Sequence, residues 1–326
     1  MGRCLACRVA IALAGAFLLL PAAAQKTDWP AKPVRFIVPF PPGGTVDPLA
    51  RLVSARLTPA LGQQFIVDNR PGASGSLGTA LAAKANPDGY TFVFVFDSHA
   101  VKPSLMPNLP FDTAKDLAPV MLVATAPYAI VTSVAKPYRS LDDVIKAAKA
   151  KPDTVTYGSV GAGTLSHLLM TLVQQAGSFK VVHIPYKGGG PMTTEVLGGQ
   201  VELGVGTVAL VSPQVRGGRM RAVAVTSDKR SSALPDVPTV AEQGFPGFSA
   251  FAWWGILGTA GSPKPVLDKF HAELVNVFNQ PDLRKQLTEQ MGMDLVVSSP
   301  GALQKFIVTE IARWAKVVKE QNIKAE

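Results

Sequence analysis

Two glycine-rich junctions, each joining an apolar run to a helical pattern, constrain this chain more than any other feature. In the first, Val34, Phe36, Ile37, Val38 and Phe40 form a short apolar run, the mark of a strand covered on both faces. Pro41, Pro42, Gly43 and Gly44 end it and allow backbone geometries that other residues resist. Asp47 followed by Pro48 predicts a helix start, with an acceptor at N-cap and proline at N1. The second junction runs through Tyr157-Gly158-Ser159-Val160-Gly161-Ala162-Gly163-Thr164, far downstream. Such a junction aims backbone N–H groups and the positive end of a helix dipole at one point, where an anion can be held. Two of them in separate units predict a ligand gripped between two lobes.

The rest of the chain alternates in the same way. Strands are expected at 64–67, 90–96, 116–124, 128–133, 155–158, 181–185, 201–205 and 221–226. Helices are expected at 74–84, at 141–150 behind Ser140, at 163–175 and at 191–197. This alternation predicts a parallel α/β sheet. The C-terminal part reads as a strand at 251–259, helices at 265–279 and 281–290, a short strand at 294–297 and a long helix at 300–320. No repeat with a period of about 20–50 residues is present.

With 326 residues, 47% of them hydrophobic and 17% charged, the chain has material for about two domains. Arg3 and Arg8, the apolar run 9–20 and Ala22-Ala23-Ala24 read as a cleaved secretory signal over residues 1–24. That run is too short to span a bilayer comfortably. Cys4 and Cys7 both lie inside the segment, so the mature chain is expected to carry no cysteine, no disulfide and no lipid anchor. The expected location is the periplasm. The formal charge is +9, and +7 without Arg3 and Arg8. The basic residues are scattered rather than gathered on one face, which argues against nucleic acid; a mild positive field suits a collector of small anions.

Catalytic and metal chemistry find little support. The stretch around Gly158 lacks the GxGxxG order and the GK[ST] ending of nucleotide loops. His99, His167, His183 and His271 show no metal-ligand spacing, and no G-x-S-x-G elbow is present. Ser98 and His99 are sequence neighbours, which is not how a triad is assembled. Trp253 and Trp254 read as core or hinge packing, and Lys187-Gly188-Gly189-Gly190 as a further helix-starting turn able to face a cleft. For Asp47, helix capping is the plainer reading and ligand or water orientation the sharper one. No catalytic residue, cofactor or metal is expected.

The segments PVRFIVPFPPGGTVD, DNRPGASGSLG, NPDGYTF, SHAVKPSL, HIPYKGGGP and ALPDVPTVAEQGFPGF follow one another in order. Together they resemble the Bug-type extracytoplasmic solute receptors of tripartite tricarboxylate transporters. The likeness covers essentially the whole mature chain, from Trp29-Pro30 to the IARWAKVVK segment. It implies an α/β, two-lobed periplasmic binding protein fold of type II-like form, with two crossover segments near 126–133 and 248–258 and a ligand cleft between the lobes. Lobe 1 would be discontinuous, residues 25–126 plus 248–326, and lobe 2 would be 127–247. The resemblance further implies a carboxylate held by backbone N–H groups and ordered waters, by a monomeric receptor. Its closed form would engage a membrane permease of a large and a small subunit. The implied ligand-binding residues are Phe40, Pro42, Gly43, Gly44, Thr45 and Asp47 in a first loop and Ser159, Val160, Ala162, Gly163 and Thr164 in a second. His99 falls in a third cleft segment, and Gly206 and Thr207 end a later strand.

Departures from the family pattern sharpen the expectation. Where the second loop of the family often reads Ser-Gly-Asn-Gly-Thr, this chain has Val160-Gly161-Ala162-Gly163-Thr164. Gly206-Thr207 replaces a frequent Asp-Asn pair, removing a partner for an amino group, and Lys102 stands where Asn is usual. The expected pocket is roomier, less polar and more basic than usual, suited to an aromatic or largely apolar mono- or dicarboxylate rather than citrate or an amino acid. Two other functions compete: a ligand sensor presenting its closed form to a two-component sensor kinase, and, more remotely, an exported hydrolase or isomerase.

Overall fold

The computed structural model describes residues 28–106 and 108–323; the predicted signal segment lies outside them. The first half of the chain comprises β1 (Val34–Val38), α1 (Val46–Leu61), β2 (Phe65–Asn69), α2 (Ser76–Ala83), β3 (Thr91–Phe96), α3 (Ser98–Leu105) and β4 (Leu117–Ser133). Then follow α4 (Leu141–Ala150), β5 (Thr156–Ser159), α5 (Leu165–Gly177), β6 (Val182–Pro185), α6 (Gly189–Leu197), β7 (Leu203–Thr207), α7 (Val208–Arg216) and β8 (Met220–Val225). The chain ends with β9 (Phe251–Thr259), α8 (Lys264–Phe278), α9 (Pro281–Lys285), β10 (Asp294–Leu295) and α10 (Pro300–Glu320). Among the described residues no helix is long and apolar enough to cross a membrane.

The strands form one curled sheet in the order β2-β1-β3-β9-β4-β7-β5-β6, with β8 and β10 also paired to β4. Two lobes result because β4 changes neighbours along its length. Residues 117–127 pair antiparallel with β9, and Ala124 and Thr125 also with β10. From Tyr128 onward the strand lies between β7 and β8 instead. From Leu122 onward β4 is hydrogen-bonded on both sides, and most of its sequence LAPVMLVATAPYAIVTS is buried. Parallel pairing is confined to β2-β1-β3 and β7-β5-β6. The sheet is therefore mixed rather than parallel throughout, because β4 and β9 run against their neighbours.

The two strands expected at 116–124 and 128–133 are one strand of 17 residues. Pro127, which lacks a ladder donor, lies in the gap between the two expected strands, whereas Pro119 falls inside the first of them. Pro119 sits at a shift of register against β9, and Pro127 at the last pair before β4 changes partners, so neither interrupts a regular ladder. Helices α3 and α7 were not expected. Each is short and carries an internal proline, Pro103 or Pro213. Ser140, by contrast, caps α4 as expected, in a reciprocal capping box with Asp143.

The first lobe packs around aromatic rings from five segments: Trp29, Phe36, Phe65, Phe92 and Phe270, with the Phe92 and Phe270 centroids 4.0 Å apart. The second lobe has its own cluster, including Met192, Val196, Val211 and Val225. Where the two crossings lie side by side, buried Thr226 ties them together. Its hydroxyl accepts from Tyr128 N at 2.9 Å and donates to Ala250 O at 2.8 Å. Its own backbone exchanges 2.9 Å bonds with Tyr128 O and Ala250 N. Replacing Thr226 by Val keeps the shape but strands a buried donor and acceptor, a loss of about 1–3 kcal/mol. Chemical denaturation should show that drop for Thr226→Val and much less for Thr226→Ser, which keeps the hydroxyl.

Candidate functional site

The two glycine-rich junctions face each other across the gap between the lobes. A Cβ built on Gly190, at the start of α6, would stand 3.1 Å from Gly43 C and 3.2 Å from Pro42 O. One on Gly188 would stand 3.2 Å from the Pro41 ring, and one on Gly163 3.5 Å from Leu105. The Ser74 hydroxyl donates to Ala162 O at 2.8 Å, joining the loop before α2 to the loop before α5. The lobes therefore touch along both lips, and glycines permit the approach.

Two cavities lie between them. The inner one, about 30 Å³, is walled by Phe40, Gly44, Thr45, Val46, Phe96, Val160, Gly188, Gly189, Thr207 and Leu210. Three helix starts meet there, those of α1, α6 and α7. The first backbone N–H groups of a helix have no partner within it, and the dipole adds positive potential, so the point favours an anion. The outer cavity, about 390 Å³, shares Phe40 and Val160 with the inner one and extends along Pro39, Pro41, the Pro71–Gly75 turn, Gly161, Ala162, Pro185, Tyr186 and Lys187. Its volume is within the range of small-molecule sites, about 300–1,000 Å³.

Of the predicted residues, Phe40, Gly44, Thr45, Val160, Ala162 and Thr207 line these cavities. The Thr45 hydroxyl already accepts from Trp254 Nε1 at 3.1 Å, and that of Thr207 caps α7 by accepting from Leu210 N. Pro42 and Gly43 form the lip against Gly190, and Gly206 is packed beneath Met192, Val211 and Leu210. In the second loop the polar groups turn inward. Ser159 Oγ lies 2.7 Å from His183 Nε2 and accepts from Gly161 N. Thr164 Oγ1 donates to Gly161 O at 2.6 Å and meets Ser166 Oγ, while Gly163 N donates to His167 Nδ1. These side chains hold the loop in shape and leave Val160 and Ala162 to face the cleft.

Two expectations are corrected. Asp47 is not the N-cap of α1; Thr45 holds that position, without a side-chain capping bond. Asp47 instead accepts both bonds from Arg51 Nε, at 3.0 and 3.1 Å, and one from Asn69 Nδ2 at 2.9 Å. Asn69 Nδ2 also donates to Phe40 O at 3.1 Å, so the carboxylate fixes the loop backbone from behind. His99 lines neither cavity. Its ring stacks on Phe111 at 6.0 Å and meets the edge of Trp253 at 6.4 Å. Neither nitrogen has a partner at hydrogen-bond geometry, although the Thr113 backbone is close, and burial lowers its pKa to about 3.

Several cavity residues were not in the sequence-based set: Phe96, Leu210, Tyr186 and the Pro71–Gly75 turn. The turn carried a signal, its P-G and S-G pairs, and has positive φ at Gly72, Ala73, Ser74 and Gly75. Gly188 and Gly189 do both things expected of them, since they start α6 and face the cleft. Below the floor, the Tyr128 hydroxyl donates to Asp97 Oδ2 at 2.6 Å, and burial pushes both acids well above their ordinary pKa values. Among the described residues no cluster of His, Cys, Asp and Glu could hold a metal.

If Asp47 supports the first loop through Asn69, Asp47→Ala and Asn69→Ala should behave alike. Each should lose about 1–3 kcal/mol in chemical denaturation as buried polar groups lose partners. Arg51→Ala, at a half-exposed side chain, should cost much less.

The family profile described as "Tripartite tricarboxylate transporter family receptor" matches residues 49–323. Protein BugT of Bordetella pertussis is 36% identical over 318 residues, covering 97% of each chain. Two solved structures superimpose closely. Rhodopseudomonas palustris Rpa4515 with adipate has a TM-score of 0.87 at 32% identity, covering 91% of this chain and 99% of that one. MatC of the same organism, with bound malate, has a TM-score of 0.84 at 30% identity, covering 89% and 99%. The two-lobed α/β architecture is thus shared over nearly the whole length. The chain has the two-lobed periplasmic binding protein fold and belongs to the Bug-type receptors of the tripartite tricarboxylate transporter family.

Proposed function

We propose that this receptor captures an aromatic or otherwise largely apolar mono- or dicarboxylate in the periplasm and delivers it, as a monomer, to the large and small permease subunits of a tripartite tricarboxylate transporter. It performs no chemistry on the ligand. The observation that carries the reading is the composition of the cleft. Three helix starts supply a place for a carboxylate, while Phe40, Val46, Phe96, Val160, Ala162 and Leu210 offer an apolar body around it. The related structures with adipate and malate support a carboxylate. The apolar side chains of the second loop favour a hydrocarbon body over the short, highly charged one of citrate.

In this reading the lobes are residues 25–126 with 248–326, and 127–247, and they close over the ligand by bending where β4 and the segment before β9 cross. The closed lips, including the Ser74–Ala162 bond, are the part of the surface that depends on ligand, and they mark the face shown to the permease.

A thermal-shift screen of the mature chain, stripped of bound ligand, tests the proposal. Its panel is adipate, malate, citrate, amino acids, benzoate, phthalate and terephthalate. A ligand at a hundred times its Kd adds about 2.7 kcal/mol, which at about 2–4 °C per kcal/mol should raise Tm by several degrees. Selective shifts with the aromatic acids or adipate are expected. Shifts confined to citrate or malate would retain the receptor and overturn the apolar ligand. No shift with any carboxylate would overturn the reading as a whole.

A further inference from the structure

Resting on that carboxylate reading, we propose that Lys102 is a specificity-determining residue of the cleft. Its ammonium receives the second carboxylate of a dicarboxylate whose first carboxylate sits at the meeting point of the three helix starts. The chain is thereby a receptor for dianions.

Lys102 is 3% exposed, an unusual position for a lysine. It belongs to α3, the helix that His99 was expected to bring to the cleft. His99 is sealed behind Phe111 and Trp253, and Lys102, one turn further along α3, brings its ammonium beside Gly75. A Cβ built on Gly75 would meet Phe40 Cζ at 3.0 Å and Lys102 Nζ at 3.3 Å. Gly75 and Phe40 are both wall residues of the outer cavity. Lys102 is not itself a wall residue, but the bare Cα of Gly75 lets its ammonium lie directly behind the wall of the outer cavity. Phe40 borders both cavities and stands between the two anion-favouring points.

A buried ammonium normally has a carboxylate beside it. Among the described residues none lies within ion-pair distance of Lys102. The groups that face this region are few. Asp97 acts on Lys102 through space, but its Oδ2 accepts from Tyr128, its Oδ1 has no partner, and burial drives it toward the neutral acid. Glu310, on α10 packed against α3, accepts from Trp314 Nε1 at 2.9 Å and pairs with Arg313. His99 is held neutral. Burial lowers Lys102 itself to about 7, with Asp97 only partly opposing. The cation is therefore under-neutralised by the protein, and an anion in the outer cavity would complete it.

The sign of the linkage follows. Unfolded, the lysine binds its proton up to its ordinary pKa of 10.5, whereas folded it releases it near 7. Its burial is a liability at and below neutral pH that fades as pH rises from about 7 to 10.5. Lys102→Met should accordingly raise Tm at pH 7 and flatten its climb between pH 7 and 10, where a purely structural lysine would lower Tm when removed.

The decisive experiment compares matched probes by isothermal titration: adipate against hexanoate, and terephthalate against benzoate. The wild-type chain should prefer each dianion over its monoanion, and Lys102→Met should weaken the dianions by about tenfold or more, the scale of one partly buried charge pair. Monoanion affinity should change little. At pH 8, titration in phosphate and in Tris buffer should show proton uptake when wild type binds a dianion, and none for Lys102→Met. Equal preference for dianions in wild type and variant would overturn the assignment while leaving the carboxylate receptor intact. A wild type that binds none of the four would overturn both.

Discussion

Everything in this molecule hangs on a strand that belongs to two sheets. Over its first part β4 is flanked by β9 and β10, and over its last residues by β7 and β8. A strand so largely buried cannot slip by one residue without turning every side chain to the opposite face. The lobes are thus held in register by one rod, and the return crossing is fastened to it through Thr226. With the sheet ends so fixed, the loops at the strand C-termini have nowhere to point except at each other. The cleft is a consequence of the shared strand.

What fills the cleft is largely backbone. Side chains that look like ligand contacts, Ser159, Thr164, Thr45, Thr207 and Asp47, are engaged in shaping the loops that carry them. The result is a wall where hydrogen-bonding capacity comes from helix starts and variety comes from a few apolar residues. Preformed dipoles of this kind favour an anion without requiring a fixed counter-charge.

The sequence made the architecture legible where local chemistry and tertiary context agree. The Val34–Val38 and Tyr157–Ser159 runs with their glycines announced strand, turn and helix, Ser140 announced α4, and Pro300 announced α10. It was opaque where a residue's meaning depends on a distant neighbour. Pro127 has the local form of a strand end, yet β4 runs through it because the strand changes partners at that point. Asp47 before Pro48 has the form of a cap, but Asn69 arrives from the end of β2 to claim it, together with Arg51 one turn along the same helix. His99 and Lys102 are one helical turn apart in a segment where no helix was evident, so nothing local said which of them faces the cleft. The answer came from Gly75 and Phe111, on two separate loops.

The bond across the lips has a further implication. Ser74 reaches the carbonyl of Ala162, not its side chain. Any residue at position 162 presents the same oxygen, so the side chain facing the ligand can be exchanged while the fastening between the lobes stays as it is. The side chain at position 162 and the bond that joins the lobes are thereby separable. A lineage built on this arrangement can wander through ligand chemistry by point substitution while the contact between its lobes keeps the same form.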